Sequence, residues 1–408
     1  MEKRTLNILF IGGDGNHQNA NSVCVNNMAR EMMARGHKVW ILAMGDENVS
    51  EAGSMDGAEL WQIPDTCFGK MMARNPKGLK FLKFLRHILI LPFYPNVAPL
   101  RTRKVARKAD EIMRKNKIDI VVAIFNDYEN INAGVKLKKK YGQGIRVVTY
   151  HLDLRTASAN PSAFVRKLVH KHTLKSLRKE NKTVDKMLIP YSGKKDIDQI
   201  AGLDKNKIKY VGFPVFVEGK LIEKCDLPFE KNTINISYIG SLSSDNRNPG
   251  YVLTLLEQAE KLLNRKVMVH FWGDMGGLES MIASSPVAKY HGKIENRFVR
   301  YIMDSSDFLL NIGNAISYSM LPSKVFGMFA TGKPIINVIA HPHDATLPFF
   351  EKYHNSVDIA EYCKSSADAS KLADGIVALQ GSQCGSSNGS FDDFRPETIC
   401  DMILNNKI

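Results

Sequence analysis

Short apolar runs rich in β-branched residues alternate along the chain with longer stretches in which apolar positions recur every three to four residues. In the first half the runs are NILFIG, KVWILA, DIVVAIF, RVVTYH and KMLIP, and the first two flank a stretch of helical period from about Asn21 to Arg35. Near-continuous apolar runs mark strands buried on both faces, and strands separated by helical stretches build parallel βαβ units. The rhythm restarts after residue 200 with INISYIG, a helix around Gly250 to Leu263, KVMVHFWG, a second helix, AKYHG, DFLLNIG, a third helix and PIINVI. The pattern predicts an α/β protein of two similar halves. They join within 191–217, where YVGFPVFVEG carries the Gly and Pro of a connecting segment, which gives one domain over 1–200 and another over 201–390. GSQCGSSNGS at 381–390 reads as a flexible loop, and the segment 391–408 holds a last helical stretch, Pro396 to Asn405.

The length of 408 residues suits two or three domains, and the 44% hydrophobic content excludes a disordered chain. No window approaches the ~20 uncharged apolar residues of a spanning helix, since the richest stretch, Leu79 to Pro95, is broken by Lys80, Lys83, Arg86 and His87. The start, MEKRTLNILFIGG, reads as a first strand and not as a signal peptide, so a cytoplasmic protein is expected. Cys24, Cys67, Cys225, Cys363, Cys384 and Cys400 show no CxxC pair and no zinc-finger spacing, and they read as buried thiols.

The formal net charge of +14 is unevenly spread: residues 1–200 hold 35 Lys and Arg against 19 Asp and Glu, whereas 201–408 hold 21 against 23. A basic surplus points to nucleic acid, an anionic membrane or phosphorylated ligands. Residues 70–117 alone carry 14 basic side chains against Asp110 and Glu111.

Four constellations carry chemistry. Gly12-Gly13-Asp14-Gly15-Asn16 follows a strand and precedes a helix, where glycines let a ligand approach the backbone and the helix N-terminus favours an anion. A dinucleotide fingerprint needs glycine at 18, where the chain has Gln18, so the loop reads as ligand-lining or as a tight turn of structural use only. His151-Leu152-Asp153 ends the strand RVVTY, and ligands of open α/β sheets bind beyond the carboxyl ends of strands. Tyr238 to Gly250 repeats the strand, Gly-rich turn and helix order, with Pro249 as the expected first helical residue and Arg247 within reach of an anion at the helix end. The fourth runs from Asn311 through Gly313, Asn314, Ser319, Leu321, Pro322, Ser323 and Lys324 to Gly327 and Thr331-Gly332-Lys333-Pro334, with Ser323 and Lys324 as a diphosphate cradle and Gly332 as C-cap.

Taken together these motifs resemble a GT-B fold glycosyltransferase, close to the family-four group of retaining enzymes and particularly to members with a Pro-Ser-Lys segment that build capsular and other surface polysaccharides. The resemblance covers nearly the whole chain and is strongest from Tyr238 to Ile336. It implies two Rossmann-like domains with a ligand cleft between them and a C-terminal helix returning to the first. It implies donor contacts from Gly240, Ser241, Arg247, Gly273, Asn314, Ser319, Leu321, Pro322, Ser323 and Lys324, a cleft loop at Gly12, Gly13 and Asn16, and catalytic roles for His151 and Asp153. At the two ends of the family's E-x7-E segment this chain has Ser319 and Gly327, and the arginine of the G-R-L turn is Ser241, which leaves Arg247 and Lys324 as the basic partners. The implied activity is transfer of a sugar, with retention, from a nucleotide diphosphate donor, UDP-linked among the options, to a lipid-linked or polysaccharide acceptor. The donor is a substrate, and neither a cofactor nor a metal is expected. Two alternatives are a GT-B module that lost catalysis with its carboxylates and serves as a binding partner, and a nucleotide-sugar epimerase.

The basic half then takes a specific reading. Leu79 to Leu91 places Lys80, Lys83 and Arg86 on a narrow polar stripe beside a broad apolar face, the pattern of an interfacial helix on an anionic leaflet. Arg101 to Lys108 and a second basic run, Arg166 to Lys182, extend that surface. No nucleic-acid signature accompanies the charges, so the expected partner is an anionic membrane surface and the expected location is peripheral, at the inner face of the membrane.

Overall fold

The computed structural model describes residues 4–14, 20–45, 53–55, 57–64, 95–96, 98–125, 128–152, 163–218, 223–384 and 391–405. Asn16, Lys80, Lys83, Arg86 and Asp153 lie outside these residues. The chain forms two compact units, Met1–Pro214 with Asp393–Ile408, and Val215–Asp392.

The first unit follows the order β1 (Asn7–Asp14), α1 (Ala20–Ala34), β2 (Lys38–Gly45), β3 (Gly53–Met55), β4 (Ala58–Pro64), α2 (Pro99–Asn116), β5 (Ile120–Ile124), α3 (Tyr128–Tyr141), β6 (Arg146–Tyr150), α4 (Ala163–Thr183), β7 (Lys186–Pro190), α5 (Lys194–Asp198) and β8 (Ile208–Val211). Its sheet runs β3-β4-β2-β1-β5-β6-β7-β8. Only the short edge strand β3 is antiparallel, pairing Ser54 with Glu59. Ile8 of β1 aligns with Val39 on one side and Ile120 on the other, so the chain leaves β1 in one direction and returns past it in the other. The apolar runs become strands because both faces are covered. Leu9, Ile11, Val121, Val147, Met187 and Ile189 pack with Val105, Ala109 and Ile112 of α2, Val135 and Leu137 of α3 and Leu177 of α4. In α2 the buried residues Thr102, Val105, Ala109, Ile112 and Met113 recur at helical spacing, Pro99 opens the helix, and Lys117 closes it in the left-handed region.

The second unit comprises β9 (Ile234–Ile239), α6 (Gly250–Leu263), β10 (Val267–Trp272), α7 (Glu279–Ser284), β11 (Ala288–Tyr290), α8 (Asn296–Ser305), β12 (Phe308–Ile312), α9 (Lys324–Phe329), β13 (Ile335–Ile339), α10 (Leu347–Tyr353), β14 (Ser356–Ala360) and α11 (Asp368–Leu379). Its sheet, β11-β10-β9-β12-β13-β14, is parallel throughout. Numbered within the unit this is the order 3-2-1-4-5-6 of a nucleotide-binding Rossmann sheet, whose strand order reverses between β9 and β12. Pro249, expected as the first helical residue, stands one position earlier, at the N-cap of α6 with φ −81° and ψ −8°, and Gly250 is the first residue of the helix.

The last helix, α12 (Pro396–Leu404), belongs to the first unit and packs on α1, as the alternation and the expected returning helix predict. Of the cysteines read as buried thiols, Cys24 and Cys400 are buried and Cys225 and Cys384 partly so. Cys363 is exposed, because it sits on the turn that follows β14. Among the described residues no helix is long and apolar enough to cross a membrane.

Candidate functional site

Ligands of an open parallel sheet bind beyond the carboxyl ends of the strands where the order reverses, which in the second unit means the loops after β9 and β12. Two glycines shape the first of these loops. Gly240 follows β9 with φ +145°, and its N–H bonds Trp272 O at 2.9 Å. Gly273 follows β10 with φ +124°, and a Cβ added to it would lie 2.1 Å from the Gly240 carbonyl oxygen. No side chain fits between these backbones.

Beyond Gly240 the chain is held by its own backbone. Ser243 and Arg247 exchange N–H···O bonds of 3.2 and 3.1 Å, and Leu242 N–H bonds Asp274 O at 2.8 Å. Asn246 ties this loop to the one after β12. Its amide nitrogen donates to Asn314 Oδ1 at 3.1 Å and to Ser317 Oγ at 2.9 Å, while its oxygen accepts from the N–H groups of Ile316 and Ser317. Asn314 is buried, and its Oδ1 also accepts from Arg247 Nε at 2.7 Å.

Lys324, the first residue of α9, brings its ammonium to 3.2 Å from Tyr238 Oη and 4.3 Å from the centre of the Tyr238 ring. The Tyr238 hydroxyl in turn donates to Ser241 O at 2.8 Å. Among the described residues no carboxylate makes an ion pair with Arg247 or Lys324. Burial, reinforced by the neighbouring Arg247 charge, holds the Lys324 ammonium well below the ordinary lysine range. Burial also raises the Tyr238 phenol, and Arg247 offsets part of that rise. A desolvated cation without a counter-ion is unfavourable by itself and becomes favourable when an anion enters. Two cations on converging loops therefore form a candidate anion site, one that an incoming negative charge would balance.

The structure thus gathers Gly240, Ser241, Arg247, Gly273, Asn314 and Lys324 into one cluster. Leu321, Pro322 and Ser323 are half-buried on the segment leading into α9, and Ser319 is exposed. At Gly327, inside α9, an added Cβ would meet nothing within 4 Å. Tyr238 and Asn246 belong to the cluster, although the sequence alone does not single them out. Tyr238 alternates with Ile236 as strand core, and Asn246 is one polar residue in a polar loop.

In the first unit Gly12 and Gly13 end β1 with φ +144° and +83°. A Cβ at Gly12 would lie 3.0 Å from Ile124 Cβ, so close approach to β5 already requires this glycine. His151 is fully buried at the end of β6. Its Nε2 lies 2.7 Å from Oε1 of the equally buried Glu180 on α4, and its ring stacks on Phe125. Glu180 escapes sequence reading because it lies inside the basic run of α4.

No protein-family model matches the chain, and no curated protein matches it. Solved structures do. Sucrose-phosphate synthase from Thermosynechococcus elongatus aligns over 98% of this chain and 97% of its own, at 11% identity and a TM-score of 0.59. A glycosyltransferase from Rickettsia africae aligns over 99% and 100% at 15% identity and a TM-score of 0.52. A lipopolysaccharide outer core galactosyltransferase aligns over 98% and 99% at 15% identity and a TM-score of 0.51. The likeness is one of fold: the chain has the α/β GT-B fold, built from two Rossmann-like units.

Proposed function

We propose that the protein is a glycosyltransferase that moves a sugar from a nucleotide diphosphate donor to a lipid-linked or polysaccharide acceptor, with retention at the anomeric carbon, in surface polysaccharide biosynthesis. The observation that carries this reading is the pair Arg247 and Lys324, two cations with no carboxylate partner among the described residues, beside Gly240 and Gly273 at the strand-order reversal of a Rossmann sheet. The fold shared with solved glycosyltransferases supports it.

In this reading the bond between the anomeric carbon and the distal phosphate oxygen breaks, and the electron pair leaves with the diphosphate. Arg247 and Lys324, the latter half-buried against Tyr238, stabilise the charge that develops there. The acceptor oxygen forms the new bond on the same face of the sugar, and its proton passes to the leaving phosphate oxygen. With two side-chain cations on the diphosphate the scheme calls for no metal ion. UDP is one option for the nucleotide, and the enzyme works in the cytoplasm at the inner face of the membrane.

Turnover of a panel of nucleotide sugars tests the proposal. Lys324→Ala should lower kcat/KM for the accepted donor by about 100- to 1,000-fold, the usual effect of removing one preorganised charge stabiliser. Absence of turnover with every donor, together with unchanged donor binding in Lys324→Ala, sinks it. A second reading has its own observation: Ser319 and Gly327 occupy the positions of the absent carboxylates, which fits a binding module without catalysis. Calorimetric binding of a nucleotide without turnover selects that module, and release of an epimerised sugar without acceptor selects an epimerase.

A further inference from the structure

The helices α2, α3 and α4 lie side by side on one face of the first sheet, α2 packing on α3 and α3 on α4. Together they carry 18 Lys and Arg against four Asp and Glu, a surplus of 14 that equals the net charge of the whole chain. Two of the four acids, Glu129 and Glu180, are buried. The other two, Asp110 and Glu111, are engaged on the outer surface by Lys140 and Arg114 and by Lys108. Among the remaining cations, exposed pairs at i,i+4 spacing stand on α2 and on α4, with one exposed cation of α3 between them. Arg103 and Arg107 line α2, Lys136 lies on α3, and Lys175 and Lys179 line α4; all five are exposed, and none makes an ion pair among the described residues. Like charges at that spacing weaken a helix, so nothing in the fold itself rewards them.

These cations converge. Lys136 is held below the ordinary lysine range first by partial burial and then by the charges of Arg103 on one neighbouring helix and Lys179 on the other. Leu100, at the start of α2 beside Arg101 and Arg103, is 69% exposed, the largest exposure among the big apolar side chains described.

We propose that the outer face of α2, α3 and α4 is the surface by which the protein docks on a bilayer of anionic phospholipid. The choice of partner rests on the proposed lipid-linked acceptor; the surface does not. Cations spread across three helices match the two-dimensional charge of a leaflet, and an apolar side chain exposed at their edge can enter the headgroup boundary. Single-stranded nucleic acid would call for aromatic platforms between the five named cations, whereas the rings seen beside cations of these helices, Trp61 and Tyr141, lie under Lys108 and Lys140 instead.

The test uses the full chain, sedimented with vesicles of phosphatidylglycerol and phosphatidylcholine in equal parts, and with phosphatidylcholine alone. Retention is expected on the anionic vesicles only, and it should fall as salt rises. The triple variant Arg103→Glu, Lys136→Glu, Lys179→Glu should lower the partition coefficient at least about 100-fold, since each residue reversed removes one attraction and adds one repulsion. The neutral variant with Gln at the same three positions, whose melting temperature should match that of the parent, should lower it at least about 10-fold. Equal retention on neutral vesicles, retention unaffected by the Gln variant, or capture by heparin without capture by vesicles overturns the proposal. Donor turnover is read separately on free nucleotide sugar and should be the same in all three proteins, so failure of docking is distinguishable from failure of the glycosyltransferase reading.

Discussion

Lys324 is the residue through which sequence, packing and proposed chemistry meet. Its ammonium is withdrawn from water against Tyr238, and Arg247 keeps a second positive charge close by. The consequence is a proton balance. Burial holds the Lys324 pKa below the ordinary lysine range in the empty site, and an arriving diphosphate raises it again. Anion binding should therefore take up protons and weaken as pH rises through the depressed pKa. Calorimetry of inorganic diphosphate in buffers of different ionisation enthalpy measures the uptake directly. A slope of zero, or binding that strengthens toward alkaline pH, would contradict the assignment. Arg247 and Lys324 were legible in the sequence because each follows a glycine-bounded strand within a recognisable motif. Asn246, which ties the two loops through four hydrogen bonds, was not legible, because an amide in a polar loop has no pattern until its partners in the other loop are known. His151 could be read as a residue at a strand end, but not as the partner of Glu180, which lies 29 positions away.

At the scale of elements the strands were the most legible feature, since parallel strands covered on both faces read as apolar runs. Their interior polar residues were not, and the edge formed by β9, β10 and β11 carries a set that couples them. Asn235 on β9 donates its amide hydrogens to the carbonyls of Glu230 and Thr233, which fixes its oxygen toward His270 of β10. His270 Nε2–H then donates to that oxygen at 3.1 Å, and its Nδ1 accepts from His291 Nε2 at 2.9 Å, just past β11. Protonating His270 would put a hydrogen where it now accepts one. Burial, with help from His291 and Lys289, accordingly pushes its pKa down to about 4. A group whose folded pKa is depressed below 6.5 binds fewer protons folded than unfolded, so its stabilising effect is complete above 6.5 and is lost as pH falls toward 4. The loss is on the order of 3 kcal/mol. It should appear as amide protection, with exchange normalised to its intrinsic rate at each pH, that falls along β10 and β11 as pH drops from 6.5 to 4 and stays largely unchanged in His270→Gln. Normalised protection that stays constant over that range would remove the pair from any role in holding the edge.

For the whole molecule two α/β halves are legible in the residues, whereas the way the chain closes is not: nothing in the pattern from Pro396 to Asn405 says against what its apolar side packs, and only the family resemblance implies a returning helix. The structure sends α12 back to the first unit. Ile399, Cys400 and Ile403 are fully buried there, Arg35 just after α1 pairs with Asp401 and bonds Glu397 O at 3.0 Å, and Lys186 of β7 donates to Met402 O and Asn405 O at 2.6 and 2.9 Å. The first unit is thus completed only by the last residues of the chain. A chain ending at Asp392 should lose about 1.5 to 3 kcal/mol for each of the two isoleucines alone, and it would leave the Lys186 ammonium, already lowered by burial, without its two carbonyl acceptors. Because the second unit ends at Asp392 and keeps its sheet intact, the damage should be confined to the first. Hydrogen exchange resolved by peptide should show protection lost across α1, β6 and β7 and retained from β9 to β14. Equal loss in both units would mean that α12 supports the second unit as much as the first, against the way its side chains are buried.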